Sequence, residues 1–97
     1  MLEVLTDKDG NKFELIDEVW LHIRTFHPEI KNIRMIEEVL KEPDIIAKSN
    51  WDEESELYYK KIGHLFRTVV VQKKENRIKT TLTTDKVKKG TVLWKKE

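Results

Sequence analysis

Two of the three histidines, His22 and His27, lie five residues apart in the first third of the sequence. Histidine is the side chain that most readily exchanges protons near neutral pH, so such a pair can act as general acid and general base. Because Pro28 disfavours helical geometry at the preceding residue, we expect a helix to end near Phe26. His27 would then occupy a junction from which both rings can reach one cleft. A structural or solvent-facing role for each histidine stays open at this level.

Two polar residues stand inside strand-like segments of apolar character. Arg67 lies within the run 65–71, and an arginine on an apolar strand face needs an anion, a carboxylate or access to water. Thr80 alternates with Ile78 and Leu82 and is expected to share their face. An edge position for the arginine and simple strand propensity for the threonine are the alternatives. The candidate catalytic residues, predicted to surround one cleft between the first helix and the sheet, are His22, His27, Arg67 and Thr80.

The two parts of the chain carry opposite charge. Residues 1–59 contain 7 basic and 15 acidic side chains, a balance of −8, whereas residues 60–97 contain 12 basic and 3 acidic side chains, a balance of +9. An asymmetry of this size favours a surface that attracts polyanions or an acidic partner. We therefore predict a continuous positive surface on the sheet formed by residues 60–97. The alternative is that lysines protect exposed strand edges from aggregation.

Aromatic and basic side chains are mixed in the segment Tyr58-Tyr59-Lys60-Lys61. This composition suits stacking on nucleobases and contact with phosphates. Because adjacent strand residues point to opposite faces, only one of the two tyrosines can belong to such a surface. We expect RNA contacts from Tyr59, Lys60 and Lys79.

Several classes of protein are excluded by length and residue content. The 97 residues fit one small domain, residues 1–97, and leave no room for a two-domain enzyme. The chain has no cysteine and no His-x-x-x-His spacing, and its three glycines lie too far apart for a phosphate-binding loop. We expect neither a metal nor a cofactor. No apolar run approaches the roughly 18 residues of a membrane span, and no signal peptide is recognisable, so a cytoplasmic protein without membrane contact is expected.

The order of the secondary structure elements follows from periodicity and from turn residues. A hairpin with its turn at Asp9-Gly10 is predicted over residues 2–15, followed by one helix from residue 16 to Phe26. A second helix is predicted to begin at Pro28, with Glu29 in its first turn, and to be closed by Glu42-Pro43. Strand patterns follow over residues 44–47, 56–62, 65–73, 77–84 and 91–94. We therefore predict an α+β fold, in which the N-terminal hairpin and two helices precede an antiparallel sheet of about four strands.

The order of several motifs resembles the phage-associated barnase–EndoU–colicin–RelE-like (PBECR) nuclease domains. The matching segments, which span about residues 16–94, are His22-Ile23 with His27-Pro28-Glu29, Glu42-Pro43-Asp44-Ile45-Ile46 with Ser49, Leu57-Tyr58-Tyr59-Lys60, Val69-Val70-Val71, Ile78-Lys79-Thr80-Thr81, and Lys88-Lys89-Gly90 to Trp94. The resemblance implies a small barnase-like RNase domain from a phage, mobile-element or toxin system. It implies His22 as the leading catalytic residue with His27 nearby, Arg67 as phosphate ligand and Thr80 as a polar site residue.

Together these observations predict a metal-independent endoribonuclease, toxin- or phage-associated, that cleaves RNA by attack of the 2′-hydroxyl. The expected partners are RNA and an acidic inhibitor protein, and the oligomeric state is left open. A non-catalytic module that binds nucleic acid or protein is the alternative, and His22 buried away from Arg67 would favour it. A third interpretation is self-association of the acidic part of one copy with the basic part of another.

Overall fold

Seven strands and two helices make up the structure, a computed structural model that describes residues 2–50, 52, 54–87 and 90–97. The predicted Lys88-Lys89 motif lies outside the described residues. In chain order the elements are β1 (Leu2–Thr6), β2 (Lys12–Ile16), α1 (Asp17–Phe26), α2 (Ile33–Lys41), β3 (Ile45–Ser49), β4 (Ser55–Ile62), β5 (Leu65–Gln72), β6 (Arg77–Thr84) and β7 (Gly90–Lys95).

All seven described strands belong to one mixed sheet with the order β1-β2-β6-β5-β4-β3-β7. The pairs are antiparallel except for β2 and β6, which meet in parallel at Glu14 and Arg77. The predicted barnase-like arrangement, in which a hairpin and two helices precede a separate sheet of about four strands, is therefore wrong. The hairpin extends the main sheet through the parallel bridge, and β3 and β7 pair with each other at its far side. These pairings join distant segments, so local periodicity does not reveal them.

Both helices pack on the same face of the sheet, which we call the helix face. The main core that they form with it consists of Leu5, Phe13, Leu15, Ile23, Ile30, Ile36, Val39, Leu40, Ile46, Tyr58, Val69, Val71 and Ile78. A smaller cluster on the second face contains Ala47, Leu57 and Tyr59, with Phe66 and Val70 packed against it. No helix in the described part of the chain is long and apolar enough to cross a membrane.

The connection between the helices differs from the prediction. The end of α1 at Phe26 is confirmed, but Pro28 and the residue after it form a turn instead of opening the second helix. Helix α2 begins at Ile33, where the side chain of Asn32 accepts a hydrogen bond from the Met35 amide at 3.1 Å. Asparagine is among the preferred residues for capping a helix N-terminus. The residues between the helices are thus free to form the irregular segment on which the candidate site is built.

A β-bulge interrupts the pairing of β5 with β6. Val70 pairs with Thr80, but the next residue, Val71, pairs with Ile78, so Lys79 is an extra residue on its strand. An extra residue moves all later side chains of that strand to the other face. Ile78 therefore packs in the core of the helix face, whereas Thr80 lies on the second face.

A buried hydrogen bond fixes the hairpin turn to the main sheet. The Tyr58 hydroxyl donates to Asp7 Oδ2 at 2.6 Å, and both residues are buried. The same carboxylate accepts from the backbone amides of Asp9 at 2.9 Å and Asn11 at 2.8 Å, and from the Asn11 side chain at 2.9 Å. Four donors thus satisfy an anion that would otherwise be costly to bury.

Candidate functional site

The two N-terminal histidines come together at the end of α1. The His27 amide donates to the Ile23 carbonyl at 2.7 Å, but its own backbone leaves helical geometry with φ −133° and ψ 66°. This change turns the His27 side chain back toward His22, and the centroids of the two rings lie 6.4 Å apart. The His22 ring is exposed to solvent and the His27 ring is partly buried. The helix end thereby presents two proton-exchanging groups on one side.

A carboxylate from the turn after α1 joins the histidines. Glu29 Oε2 lies 4.0 Å from His27 Nδ1 and accepts a hydrogen bond from the Thr83 hydroxyl of β6 at 2.6 Å. The hydrogen bond from Thr83 is the main cause that lowers the pKa of Glu29 below its ordinary value, and the charges of His27 and Arg67 lower it further. Glu29 is therefore an anion at neutral pH, held beside an imidazole that it can orient.

Arg67 supplies the fixed positive charge of the group. It pairs with Thr83 across β5 and β6, so both side chains lie on the helix face. Its Nε is buried and has no hydrogen-bond partner among the described residues. A cavity of about 130 Å³ adjoins it, lined by Glu29, Ile62, Leu65, Arg67 and Thr83. A buried donor without a partner is costly, and a phosphate oxygen in this cavity would satisfy it with a charge-assisted hydrogen bond.

The fourth predicted catalytic residue does not join this group. Thr80 pairs with Val70 on the second face, opposite to the face that carries Arg67. The predicted cleft of four residues is therefore wrong. The cause is the bulge at Lys79, since alternation counted through the extra residue assigns Thr80 to the wrong side of the sheet. Thr83 holds the position that we expected for Thr80.

The predicted stacking role of Tyr59 is also contradicted by its position. The side chain is fully buried at 0% exposure and meets the Phe66 ring edge-on, with centroids 6.0 Å apart. A ring without exposed surface cannot stack on a nucleobase. The predicted contact residue Lys60 places its Nζ 3.1 Å from the Glu42 carbonyl oxygen and 3.7 Å from the Glu42 carboxylate.

Ion pairs neutralise much of the basic segment. Lys79, also a predicted RNA contact, has its Nζ 3.7 Å from the Asp52 carboxylate. The further pairs that join this segment to acidic residues of the first part of the chain are Lys60–Glu42, Lys73–Glu56 and Lys74–Glu54. Exposed pairs of this kind add little stability, but they cancel charge locally. This pairing lowers the positive charge at Lys60, Lys73, Lys74 and Lys79, and the continuous positive surface of residues 60–97 stays a prediction.

A second cavity, of about 320 Å³, lies beside the end of α2. It is lined by Lys8, Lys41, Glu42, Pro43, Trp94 and Lys96, and the Lys8 ammonium lies 4.4 Å from the centroid of the Trp94 ring. No histidine lines either of these two cavities, but Glu29, whose carboxylate lies 4.0 Å from His27 Nδ1, lines the smaller one. The smaller one is therefore the candidate site.

Glu29 and Thr83 are the site residues that sequence reasoning missed. Glu29 directly follows His27-Pro28, and it was expected in the first turn of a helix that begins later in the structure. Its proximity to two histidines in sequence was the available signal. Thr83 lies beside Arg67 because of the register in which β5 and β6 pair. The residues next to Thr83 in the sequence give no signal of this register.

Comparisons with known proteins identify no relative of this chain. No family model, curated protein or solved structure matches the chain. Among the residues that the structure describes, no group of three or more His, Asp or Glu side chains could hold a metal ion.

Proposed function

We propose that this chain is a metal-independent endoribonuclease that cleaves RNA by attack of a 2′-hydroxyl on the adjacent phosphate. The observation that carries the proposal is a series of contacts from His22 to His27 and from His27 to Glu29. Glu29 lines a cavity together with Arg67, whose buried Nε has no partner among the described residues. A histidine pair, an orienting carboxylate and a fixed cation are the groups that this reaction requires.

The spacing of the two histidines suits the geometry of the reaction. The attacking 2′-oxygen and the departing 5′-oxygen lie on opposite sides of the phosphorus atom. A base and an acid must each approach within about 3 Å of its own oxygen, so they must stand several ångströms apart. The 6.4 Å between the ring centroids of His22 and His27 meets this requirement.

We assign the base to His27, because its Nδ1 faces the Glu29 carboxylate and an anion there stabilises the imidazolium that forms. His27 takes the proton of the 2′-hydroxyl while the 2′-oxygen bonds to phosphorus. The bond from phosphorus to the 5′-oxygen breaks, and His22 gives its proton to that oxygen. The products are a 2′,3′-cyclic phosphate and a 5′-hydroxyl end.

Arg67 and Thr83 complete the proposed machinery without exchanging protons with the substrate. The Arg67 guanidinium binds the phosphate oxygens, on which negative charge accumulates in the transition state. The Thr83 hydroxyl holds Glu29 in place through their 2.6 Å hydrogen bond. Thr83 is thus a positioning residue for the carboxylate that orients the base.

The resemblance of the sequence to PBECR nuclease domains supports the same activity through His22, His27 and Arg67. Thr80, which the resemblance also carries over, lies on the second face and has no part in the proposal. On that resemblance the proposal includes a toxin- or phage-associated role in the cytoplasm, with an acidic inhibitor protein as partner. A buried His22 would favour the competing interpretation, a binding module without catalysis. The His22 side chain is instead exposed.

The test is incubation of mixed RNA with the protein in EDTA. Wild type should yield ends with 2′,3′-cyclic phosphate, detected by mass spectrometry. His22→Ala and His27→Ala should each lower the cleavage rate by about 10²–10⁴-fold, the usual contribution of a general acid or base. His64→Ala is the matched control, because His64 lies in the exposed turn between β4 and β5 and has no role in the mechanism. Absence of cleavage by wild type, or equal rates in all variants, would contradict the proposal.

A further inference from the structure

An exposed aromatic ring stands beside the proposed acid. Phe26, at the end of α1, is 66% exposed, and its ring centroid lies 4.7 Å from that of His22 with a tilt of 42°. His22 in turn lies 6.4 Å from His27. The ring of His22 thus lies near both the ring of His27 and the exposed ring of Phe26.

Apolar side chains also line the cavity beside Arg67. Ile62 and Leu65, from the ends of β4 and β5, line the cavity beside Arg67 and are 40% and 45% exposed. Single exposed apolar residues are common on protein surfaces. Here Ile62 and Leu65 line the same cavity as Arg67, the proposed phosphate ligand, and Phe26 contacts the ring of the proposed acid His22. Apolar surface is thus present near both polar parts of the site, as a nucleotide needs for its base and its phosphate.

We propose that Phe26 is a stacking platform for an unpaired nucleobase next to the scissile phosphate, so that the substrate is single-stranded RNA. The inference rests on the proposed ribonuclease function and adds the substrate class. Bases stack on aromatic side chains through faces that every base has, which makes such a platform tolerant of sequence. In a duplex both faces of a base are covered by its neighbours, so double-stranded RNA cannot use the ring.

The helix itself offers a matched control. Leu21 is also 66% exposed and lies on α1, five residues before Phe26. At 100° per residue the two side chains point about 140° apart around the helix axis. Truncation of either side chain removes exposed apolar surface from the same helix, but only Phe26 contacts the ring of His22.

The experiment measures binding separately from cleavage. A fluorescently labelled single-stranded RNA that carries 2′-O-methyl groups cannot react, and its affinity is measured by anisotropy at fixed salt. Phe26→Ala should weaken binding by about tenfold, the scale of one lost base–aromatic contact, and Phe26→Trp should preserve it. Leu21→Ala should bind as wild type does, and the same RNA annealed into a duplex should bind equally to wild type and Phe26→Ala.

A 2-aminopurine base in the oligonucleotide gives a direct reading of stacking, because its fluorescence is quenched on an aromatic ring. Quenching in wild type that disappears in Phe26→Ala supports the platform. Equal affinity of Phe26→Ala and Leu21→Ala overturns it, even if wild type cleaves RNA in EDTA. Binding that depends on Phe26 without any cleavage of unmodified RNA would leave the platform standing and overturn the nuclease. Lack of binding by wild type would overturn the platform, whereas the nuclease is decided by cleavage of unmodified RNA in EDTA.

Discussion

Replacement of Tyr58 by phenylalanine tests how the N-terminal hairpin is held to the sheet. The change removes one hydroxyl, which donates to the buried Asp7 carboxylate at 2.6 Å, and leaves the ring in place. A hydrogen bond to a charged group contributes about 1.5–3 kcal/mol to stability. Because Asp7 keeps its hydrogen bonds from Asp9 and Asn11, we expect the lower part of that range, about 1.5–2 kcal/mol.

The effect should depend on pH. Burial raises the pKa of Asp7, but the hydrogen bonds from Tyr58, Asn11 and Asp9 together lower it below its ordinary value. A lowered pKa means that the stabilisation is complete above the unfolded value of about 4 and is lost as the pH falls through the folded value. Burial beside Asp7 raises the pKa of Tyr58, so its hydroxyl stays protonated over this whole interval. The gap between Tyr58→Phe and wild type should therefore be widest above about pH 5 and should narrow below pH 4.

The assay is urea unfolding followed by tryptophan fluorescence at pH 7 and pH 3. With a denaturant dependence of roughly 1.5 kcal/mol per molar urea, the midpoint of Tyr58→Phe at pH 7 should lie about 1 M below that of wild type. A double-mutant cycle with Asp7→Asn isolates the pair. Coincident midpoints at pH 7, or a gap that is equally wide at pH 3, would refute the reasoning.

Three further predictions concern single positions. The Thr81 hydroxyl is buried without a hydrogen-bond partner among the described residues, so Thr81→Val should raise the free energy of unfolding by about 1 kcal/mol, and a lower melting temperature would count against this. A Cβ on Gly90 would come within 2.3 Å of the Lys48 carbonyl oxygen, so Gly90→Ala should destabilise the protein by about 1–3 kcal/mol in thermal unfolding; unchanged stability would show that β7 can shift freely. Asn32→Ala should cost about 1 kcal/mol by removing the cap from the Met35 amide, whereas Asn32→Ser should retain most of the stability.

Local sequence signals were sufficient to predict the elements that form through interactions between neighbouring residues. The turn at Asp9-Gly10 and the flanking alternation indicated the hairpin, and the three- and four-residue periodicity together with Pro28 indicated the extent of α1. The predicted start of α2 at Pro28 is wrong, because the helix begins at Ile33 after the capping residue Asn32. Both residues are good helix-start signals, and tertiary context decided between them.

The architecture and half of the site depend on long-range pairing, which a single sequence does not contain. The convergence of His22 and His27 follows from one backbone change at the helix end, and the sequence could anticipate it. The separation of Thr80 from Arg67 depends on one extra residue in β6, which shifts every later side chain to the other face. Strand propensity is nearly the same with or without a bulge, so only the paired register reveals it.

The strand order β1-β2-β6-β5-β4-β3-β7 also governs the sequence of events during synthesis. Strands β4, β5 and β6 are joined by tight turns and can pair as soon as they leave the ribosome. Strand β7, which pairs with β3, is synthesised only about forty residues after β3. During that interval the backbone of β3, around the apolar residues Ile46 and Ala47, is an open edge to which any other nascent strand can add. A chain released before residue 90 would therefore be exposed to aggregation through β3. We therefore expect the pairing of β7 with β3 to close this edge and to lower the risk of aggregation during synthesis.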